Sequence, residues 1–351
     1  MSTVLSAAGL GELVAGWIGQ GKLVAAPVQV GDRLFYQTLA TAGQAVFDAR
    51  RRPSNSIKEF FFPRHEPIFR YRLEGKEIAL SDVVPEEREQ IIFAAKPCDA
   101  AALPILDHVF NWDFEDGFYT ARRARTTVVT LACAAHDDSC FCTAVGSGPE
   151  DESGSDAMLF DVGDGKFEVR AITEKGRALF GGDRSLAVAA RSEASRKSEA
   201  PRESEAPRKF EPARVARYLE ANFESPLWNP LTLTCLGCGA CAYTCPTCHC
   251  FDIVDEGNAA GGARVKNWDS CQFPFFTLHA SGHNPRAAQP QRQRQRLFHK
   301  FLIYPQKFNA VLCTGCGNCE RNCPVGLGVL KVLEAIDGEQ RRLDEKEPVQ
   351  A

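Results

Sequence analysis

Residues 235–246 read Cys235-Leu-Gly-Cys238-Gly-Ala-Cys241-Ala-Tyr-Thr-Cys245-Pro246, and residues 313–324 repeat this spacing as Cys313-Thr-Gly-Cys316-Gly-Asn-Cys319-Glu-Arg-Asn-Cys323-Pro324. Both runs follow the pattern C-x2-C-x2-C-x3-C-P, which is the spacing of bacterial ferredoxins with two clusters. A [4Fe–4S] cubane needs four converging thiolates, and three closely spaced cysteines let one tight loop surround it. The C-terminal part of the chain is therefore predicted to bind two [4Fe–4S] clusters.

The ligand assignment follows from the duplication of the run. In two-cluster ferredoxins the fourth cysteine of each run binds the cluster of the other run. One cluster is therefore assigned to Cys235, Cys238, Cys241 and Cys323, and the other to Cys313, Cys316, Cys319 and Cys245. The glycines inside the runs permit the backbone angles of such loops; they are Gly237, Gly239, Gly315 and Gly317. A pair of zinc sites is the alternative, but zinc sites usually use two well-separated cysteine pairs.

Composition limits the remaining possibilities. The chain has 351 residues, enough for two domains, and 15 cysteines. The net charge of −4 gives no reason to expect a nucleic-acid partner. No stretch approaches the roughly 18 consecutive apolar residues of a membrane span, and no signal-peptide pattern is present at the start. We therefore expect a cytoplasmic protein whose clustered cysteines bind metal rather than form disulfides.

The expected fold class is α+β: an N-terminal α/β-type domain with cysteine-bearing loops, over residues 1–190, and an α-helical ferredoxin domain over residues 211–340. Short apolar runs predict strands at 34–39, 68–73, 91–95 and 126–132, and a hairpin over 157–172. Residues 4–20 and 100–109 are predicted helices, the second with Asp99 at its N-cap. The segment between the two cysteine runs is also predicted to be helical.

Residues 192–209 contain a hexapeptide written three times, as Ser-Glu-Ala followed by Ser-Arg-Lys, Pro-Arg-Glu and Pro-Arg-Lys. The repeat has no large apolar side chain, so it cannot bury enough surface to offset the entropy lost on ordering. Residues 191–210 are therefore predicted to form a disordered insertion, and residues 341–351 to form a charged tail.

Seven further cysteines lie outside the assigned ligand sets. Cys98 and Cys133 lie just after predicted buried strands, and the other two cysteines lie in Cys140-Phe-Cys142. The two readings of this group are a third metal site on which all four converge, and ordinary buried thiols that pack as small hydrophobes. Cys248, Cys250 and Cys271 are expected to lie near a cluster and tune it, or to form an extra ligand set. Cys241, Cys245 and Cys248 also have a radical-SAM spacing, but no matching barrel is predicted. The basic stretch 286–300 is read as a solvated segment or a docking surface for an acidic redox partner.

The chain resembles a known family: the iron–sulfur beta subunits of cytosolic sulfhydrogenase-type nickel–iron hydrogenases, together with the corresponding iron–sulfur subunit of anaerobic sulfite reductase. The resemblance depends on both cysteine runs and on several further segments. These are Lys96-Pro-Cys-Asp99, Cys140-Phe-Cys142, the continuation of the first run through Asp252, Trp268-Asp-Ser-Cys-Gln-Phe-Pro274 and Ala280-Ser-Gly-His-Asn284.

This resemblance implies an electron-carrying protein without a catalytic site of its own. It would relay electrons between a catalytic subunit with a nickel–iron or siroheme site and a reductase subunit that binds flavin and NAD(P). Two other hypotheses are an iron–sulfur sensor, for which no basic recognition helix is found, and a stand-alone enzyme with flavin in the N-terminal domain.

Overall fold

A computed structural model describes residues 3–85, 87–181 and 205–346. The predicted hexapeptide insertion therefore lies mostly outside the described residues, as does the end of the predicted charged tail.

Within the described ranges, the N-terminal half contains five short helices and nine strands. The helices are α1 (Ala7–Gly19), α2 (Pro97–Ala100), α3 (Ala102–Phe110), α4 (Gly117–Arg125) and α5 (Glu174–Leu179). The strands are β1 (Thr3–Ser6), β2 (Leu23–Val30), β3 (Arg33–Thr38), β4 (His65–Glu74), β5 (Glu77–Asp82), β6 (Gln90–Ala95), β7 (Thr126–Leu131), β8 (Ala157–Gly163) and β9 (Lys166–Ala171).

A seven-stranded sheet has the order β1-β9-β8-β7-β6-β2-β3. Its central strands β2, β6, β7 and β8 are parallel, and the outer pairs are antiparallel. The central strands are continuous apolar runs because helices and loops cover both faces of a parallel sheet. Ile91, Phe93 and Val129 are fully or almost fully buried in the main core beside Leu10 and Trp17 of α1. This sheet confirms the α/β character expected for the N-terminal half.

The ends of β6 and β7 carry the first two cysteines of the N-terminal group. Because these strands are parallel neighbours, Cys98 and Cys133 leave the sheet at the same edge. Asp99 lies inside α2 rather than at a helix N-cap, so that prediction is wrong. Its buried carboxylate instead accepts a hydrogen bond from the Tyr36 hydroxyl at 2.9 Å.

A second sheet, of four strands, corrects the prediction for the segment between the cysteine runs. Residues Phe251–Asn258 (β10) and Gly261–Trp268 (β11) form an antiparallel hairpin, not helices. Strand β11 pairs with β4 of the N-terminal half, which gives the order β10-β11-β4-β5. The two halves of the chain therefore share a sheet.

The cysteine runs lie among short helices. These are α6 (Pro212–Ala221), α7 (Trp228–Thr232), α8 (Ala240–Tyr243), α9 (Gln289–Phe298), α10 (Tyr304–Phe308), α11 (Asn318–Arg321) and α12 (Val329–Lys346), with a π-helical turn at His299–Ile303. A second core joins α6, α9 and α12 through Val215, Leu219, Leu297, Leu333 and Ile336. Helix α12 ends at Lys346, so it reaches into residues 341–351, the region expected to be a charged tail.

The helix predicted over residues 4–20 begins later than expected, because residues Thr3–Ser6 form an edge strand. That strand pairs with Lys166–Val169, a partner that the local sequence does not reveal. Across the described parts of the chain, no helix has both the length and the apolar character needed to cross a membrane.

Candidate metal centres

The first cysteine run and the last cysteine of the second run surround one small cavity. Its lining includes Cys235 and Cys238 from the loop before α8, Cys241 from α8 itself, and Cys323 with Pro324 from the segment just after α11. The four thiols come from segments about 80 residues apart in sequence. The structure therefore brings together the four residues that the sequence assigned to one cluster.

The second run folds in the same way around the last cysteine of the first run. Cys313, Cys316 and Cys319 each have the Cys245 thiol among their electrostatic neighbours. Burial raises the pKa of Cys313 to about 12, and the nearby Cys245 charge adds to this effect. Thiols held this deep in the protein bind metal only as thiolates, so they need compensating positive charge.

The glycines of both runs adopt the left-handed backbone conformation that other residues avoid. The φ angles are 66° at Gly237, 75° at Gly239, 64° at Gly315 and 75° at Gly317. A Cβ atom on Gly239 would lie 2.6 Å from the Phe273 ring. A Cβ atom on Gly315 would lie 2.5 Å from the backbone of Cys142. The backbone role predicted for these glycines is confirmed, and each loop also packs closely against a neighbouring segment.

Several N–H groups point at the thiols of the two runs. Gln289 and Gln293 donate hydrogen bonds from Nε2 to Cys235 Sγ at 3.1 and 3.0 Å. The Leu327 amide donates to Cys323 Sγ at 3.1 Å. Hydrogen bonds to cluster sulfurs are one of the ways in which proteins set reduction potentials. The donors, the glycine-lined loops and the two sets of four thiols together fit a pair of [4Fe–4S] clusters.

Buried cations lie between the two sets of thiols, and the sequence prediction missed them. Arg296 donates to Cys248 Sγ at 3.5 Å, and Lys300 donates to Cys245 Sγ at 3.5 Å. Lys58, from the N-terminal half, donates to the carbonyl oxygens of Ala242 and Cys248 at 3.1 and 2.9 Å. All three side chains are almost completely buried. For Arg296 and Lys300, the thiolates outweigh the effect of burial and raise the pKa.

This finding corrects both readings of the basic stretch 286–300. Arg292, Arg296 and Lys300 are buried, so they neither face solvent nor form a docking surface. Their spacing of four residues places them on one side of the continuous helical segment. This periodicity is the feature of the sequence that could have indicated a shared environment for the three side chains. Arg294 lies on another side, where it pairs with Glu224 and stacks on Phe223.

The four N-terminal cysteines also come together, around the partly buried side chain of Arg52. Arg52 donates to Cys133 Sγ at 3.4 Å and to Cys98 Sγ at 3.8 Å, and Cys140 is among its electrostatic neighbours. Cys142 is a neighbour of both Cys133 and Cys140. This group is close to the second run, because Cys98 is an electrostatic neighbour of Cys316.

The three spare cysteines of the C-terminal half form contacts in pairs. Cys248 is an electrostatic neighbour of Cys245 of the second predicted ligand set. Cys250 is an electrostatic neighbour of Cys271, and both line the same pocket. Within the residues that the structure describes, no three or more His, Cys, Asp or Glu side chains meet around a position suited to a single metal ion.

Comparison with known proteins agrees with this geometry. A 4Fe-4S dicluster domain matches residues 234–327, which span both cysteine runs. Sulfhydrogenase 2 subunit beta of Pyrococcus furiosus is 30% identical over 284 residues, which cover 80% of this chain and 82% of the relative. The chain belongs to this family of sulfhydrogenase beta subunits. No solved structure matches the chain.

Membership in this family confirms the resemblance and the iron–sulfur character of the chain. The beta-subunit relative and the dicluster match identify the chain as an electron-transfer iron–sulfur subunit. The dicluster-domain match ends before α12 and does not include the N-terminal cysteine group. That match therefore gives no evidence on whether the N-terminal group binds a cluster.

Proposed function

We propose that this chain binds one [4Fe–4S] cluster through Cys235, Cys238, Cys241 and Cys323, and a second through Cys313, Cys316, Cys319 and Cys245. The observation that carries the proposal is the position of Cys323 in the same cavity as the first three cysteines of the other run. A [4Fe–4S] cluster supplies reversible one-electron transfer. Ligand sharing between the runs holds the two sites close together, which suits stepwise electron transfer.

A third cluster at Cys98, Cys133, Cys140 and Cys142 extends the proposal. The contact of Gly315 with the Cys142 backbone and the proximity of Cys98 to Cys316 support it. These contacts would make the third site a direct neighbour of the second-run site. Arg52 supplies a positive charge beside four thiols that, when ligating, carry negative charge.

Of the eight proposed ligand thiols, that of Cys238 in the first run lies nearest the surface. Cys238 is exposed, and Leu233 and Leu236 beside it are 84% and 67% exposed. Cys316 and Cys319 of the second run are buried. An electron-carrying partner would therefore dock over the first run, where apolar side chains surround an accessible thiol.

The partners are proposed from the family. The relative is named as one subunit of a sulfhydrogenase, so we infer that this chain works with a catalytic nickel–iron subunit, and with a reductase subunit that binds flavin and NAD(P). A siroheme sulfite reductase is the alternative catalytic partner. The cytoplasmic location expected from the sequence stays a prediction.

The test begins with anaerobic purification of the full chain and determination of iron and acid-labile sulfide. About eight iron atoms per chain are expected from the two runs, and about twelve if the N-terminal group binds a cluster. A variant with Cys98 and Cys133 both replaced by serine distinguishes these values, because only the third cluster would be lost. A preparation without iron and sulfide would overturn the proposal.

Electron relay is tested separately with the purified chain. The chain should contain no flavin and should stay oxidised when NAD(P)H is added alone. Addition of the flavoprotein partner should bleach the iron–sulfur absorbance, and addition of the catalytic partner should restore it. Direct reduction by NAD(P)H, with flavin bound to this chain, would instead support a stand-alone flavin enzyme.

A further inference from the structure

The four-stranded sheet ends in a strand that no described part of the chain covers. Strand β5 is the outer member of the order β10-β11-β4-β5, and all six of its residues are exposed. Its side chains include Ile78 and Leu80, which are 63% and 69% exposed. An uncovered edge strand presents unpaired N–H and C=O groups that can pair with another polypeptide. The proposed electron relay does not use this edge.

The turn before β5 determines which backbone groups point outward. A two-residue turn joins β4 to β5, so Glu74 and Glu77 are the hydrogen-bonded pair that closes the hairpin. Hydrogen-bonded and non-hydrogen-bonded pairs alternate along an antiparallel ladder. Ile78 and Leu80 are therefore in non-hydrogen-bonded pairs with β4, and their N–H and C=O groups point away from it.

Strand β5 lacks the features that usually protect an edge. Natural edge strands are blunted by charged side chains, proline or bulges. Between the terminal Glu77 and Asp82, the segment Ile78-Ala-Leu-Ser81 carries no charge and no proline, and its pairing with β4 has no register shift. The opposite edge strand, β10, carries Asp255 and Glu256 in its interior. Of these two edges, β5 is therefore the one that is open to a partner.

The two faces of β5 differ in chemistry. Side chains alternate between the faces of a strand, so Ile78 and Leu80 share one face, and Ala79 and Ser81 share the other. Ala79 and Ser81 line an open groove of about 800 Å³ on the sheet. An added strand would therefore meet apolar side chains on one face of the sheet and this groove on the other.

Two arginines of β4 stand beside the small side chains in the groove. Arg72 is paired in register with Ala79, and Arg70 with Ser81. Among the described residues Arg70 has no acidic partner, and Arg72 lies 3.6 Å from exposed Glu74. Because Ala79 and Ser81 are small, the guanidinium groups can extend across them toward the edge. A strand added to β5 would lie about 10 Å from β4, twice the strand spacing, and arginine and glutamate side chains together span that distance.

The other charged groups of the groove do not cancel this positive charge. His65 and Glu256 hydrogen-bond to each other at 3.2 Å. The groove therefore favours acidic side chains in whatever strand is added to β5.

We propose that β5 is a docking edge for an extended segment of a partner subunit in which apolar and acidic residues alternate. The apolar side chains of the segment pack beside Ile78 and Leu80, and its carboxylates face the two arginines of the groove. Main-chain hydrogen bonds supply affinity in this mode of binding, and the alternate side chains supply specificity. A second copy of this chain fits less well, because pairing β5 with β5 would bring the arginines of both copies together. None of the groove-lining residues belongs to a cysteine run, so this surface is separate from the one proposed for electron exchange.

The test measures the binding of two fluorescein-labelled peptides to the anaerobic full chain by fluorescence anisotropy. Valine alternates with glutamate in one peptide and with lysine in the other. The glutamate peptide should bind at least tenfold more tightly. Its binding should slow hydrogen exchange at the outward Ile78 and Leu80 amides at least tenfold, whereas the Ala79 amide, which already bonds to β4, should change little.

Three variants separate the backbone and charge contributions. Leu80→Pro removes one outward N–H and no ladder bond to β4, so it should weaken binding of the glutamate peptide at least tenfold while the iron content stays that of the wild type. Arg70→Glu should abolish the preference for the glutamate peptide. Arg33→Glu reverses an exposed arginine on β3, the edge strand of the other sheet, and should bind both peptides as the wild type does.

Two results would overturn the docking proposal. One is equal binding of the two peptides, or binding of the glutamate peptide that Leu80→Pro leaves unchanged. The other is a wild type that sediments as a dimer and a Leu80→Pro variant that sediments as a monomer, which would assign the edge to a second copy of the chain. Failure of the cluster proposal is distinguishable, because it would appear as missing iron in the wild type before any peptide is added.

Discussion

The Lys300 ammonium lies 3.5 Å from Cys245 Sγ, and both side chains are almost completely buried. The same ammonium donates to Thr247 Oγ1 at 3.0 Å and to the Leu312 carbonyl oxygen at 2.9 Å. These three bonds hold a positive charge between the end of the first cysteine run and the start of the second. Burial lowers the pKa of Lys300, but the nearby thiolates outweigh burial and raise it, so the charge persists.

Removal of the Lys300 charge should lower the reduction potential of the proposed cluster that Cys245 ligates. Reduction adds a negative charge to the site ligated by Cys245, and a nearby cation stabilises that charge. Lys300→Met is therefore expected to lower the midpoint potential by on the order of 100 mV, since one charge several ångströms away contributes about 2 kcal/mol at an effective dielectric of 20. Redox titration followed by electron paramagnetic resonance measures the shift.

Lys307→Met is the matched control for this experiment. Lys307 lies in the next helix, α10, and its side chain is exposed, so solvent screens its charge. Its removal should leave the potential nearly unchanged. Equal shifts in the two variants would show that the position of Lys300 beside Cys245 has no special electrostatic effect.

The sharing of ligands between the runs can be tested with double variants. If Cys235 and Cys323 bind the same cluster, Cys235→Ser/Cys323→Ser should lose no more iron than either single variant, about four atoms. Cys235→Ser/Cys245→Ser should lose both clusters, because the two cysteines would serve different sites. Iron determination on anaerobic samples gives the answer. The reverse pattern would mean that each run binds its own cluster.

The cysteine runs and the buried strands were predictable because their signals are local. Spacing fixes which thiols a loop can bring together, and continuous apolar runs such as residues 91–95 predict central parallel strands. The hairpin Phe251–Trp268 was missed although Ile253 and Val265 lie in alternating segments around a glycine-rich turn. Most of strand β10 is exposed, so its apolar residues are few and the pattern was weak.

The burial of Arg296 and Lys300 was not predicted from the sequence, and the reason is different. A sequence shows that Arg296 and Lys300 are cations, and most cations are solvated. Their burial depends on thiolates contributed by residues some 50 positions earlier, and only the tertiary structure reveals that proximity. The helical spacing of Arg292, Arg296 and Lys300 was the one local sign that they share a side.

The close approach of Gly315 to Cys142 predicts a large cost for a single methyl group. Gly315→Ala must place a Cβ atom 2.5 Å from backbone atoms in a left-handed conformation. The expected loss is about 3–5 kcal/mol of stability from overpacking and backbone strain together. Thermal unfolding should show this loss, and iron content should fall because the second-run loop is displaced.

Gly326→Ala is the control for backbone strain alone. Gly326 has a φ of 62°, and no atom lies within 4 Å of its Cβ position. Only the conformational cost of about 1–2 kcal/mol is expected there, with iron retained. If Gly315→Ala were no worse than Gly326→Ala, the second-run loop and the Cys140–Cys142 segment would not be packed as the structure shows.

The buried carboxylate of Asp337 predicts a pH-dependent contribution to stability. It accepts hydrogen bonds from the Glu211 amide at 2.9 Å and from Arg214 Nε and Nη2 at 2.8 and 3.1 Å, so it joins α12 to the start of α6. Burial alone would raise the pKa of Asp337, but these hydrogen bonds outweigh burial and lower it. Asp337→Asn should cost about 1.5–3 kcal/mol near neutral pH, the range for hydrogen bonds to a charged group.

The sign of the pH dependence follows from the lowered pKa of Asp337. Its contribution is complete above the pKa of an unfolded aspartate, about 3.9, and is lost as pH falls through the lower folded-state pKa. Urea unfolding of wild type and Asp337→Asn should therefore differ most near neutral pH, and the difference should shrink as the pH falls through the lowered folded-state pKa of Asp337. Asp344→Asn, at an exposed carboxylate that pairs with Arg217, should match the wild type at neutral pH. A wild-type advantage over Asp337→Asn that grew on acidification would contradict this account, because a group with a lowered pKa stabilises the folded state only while it is ionised.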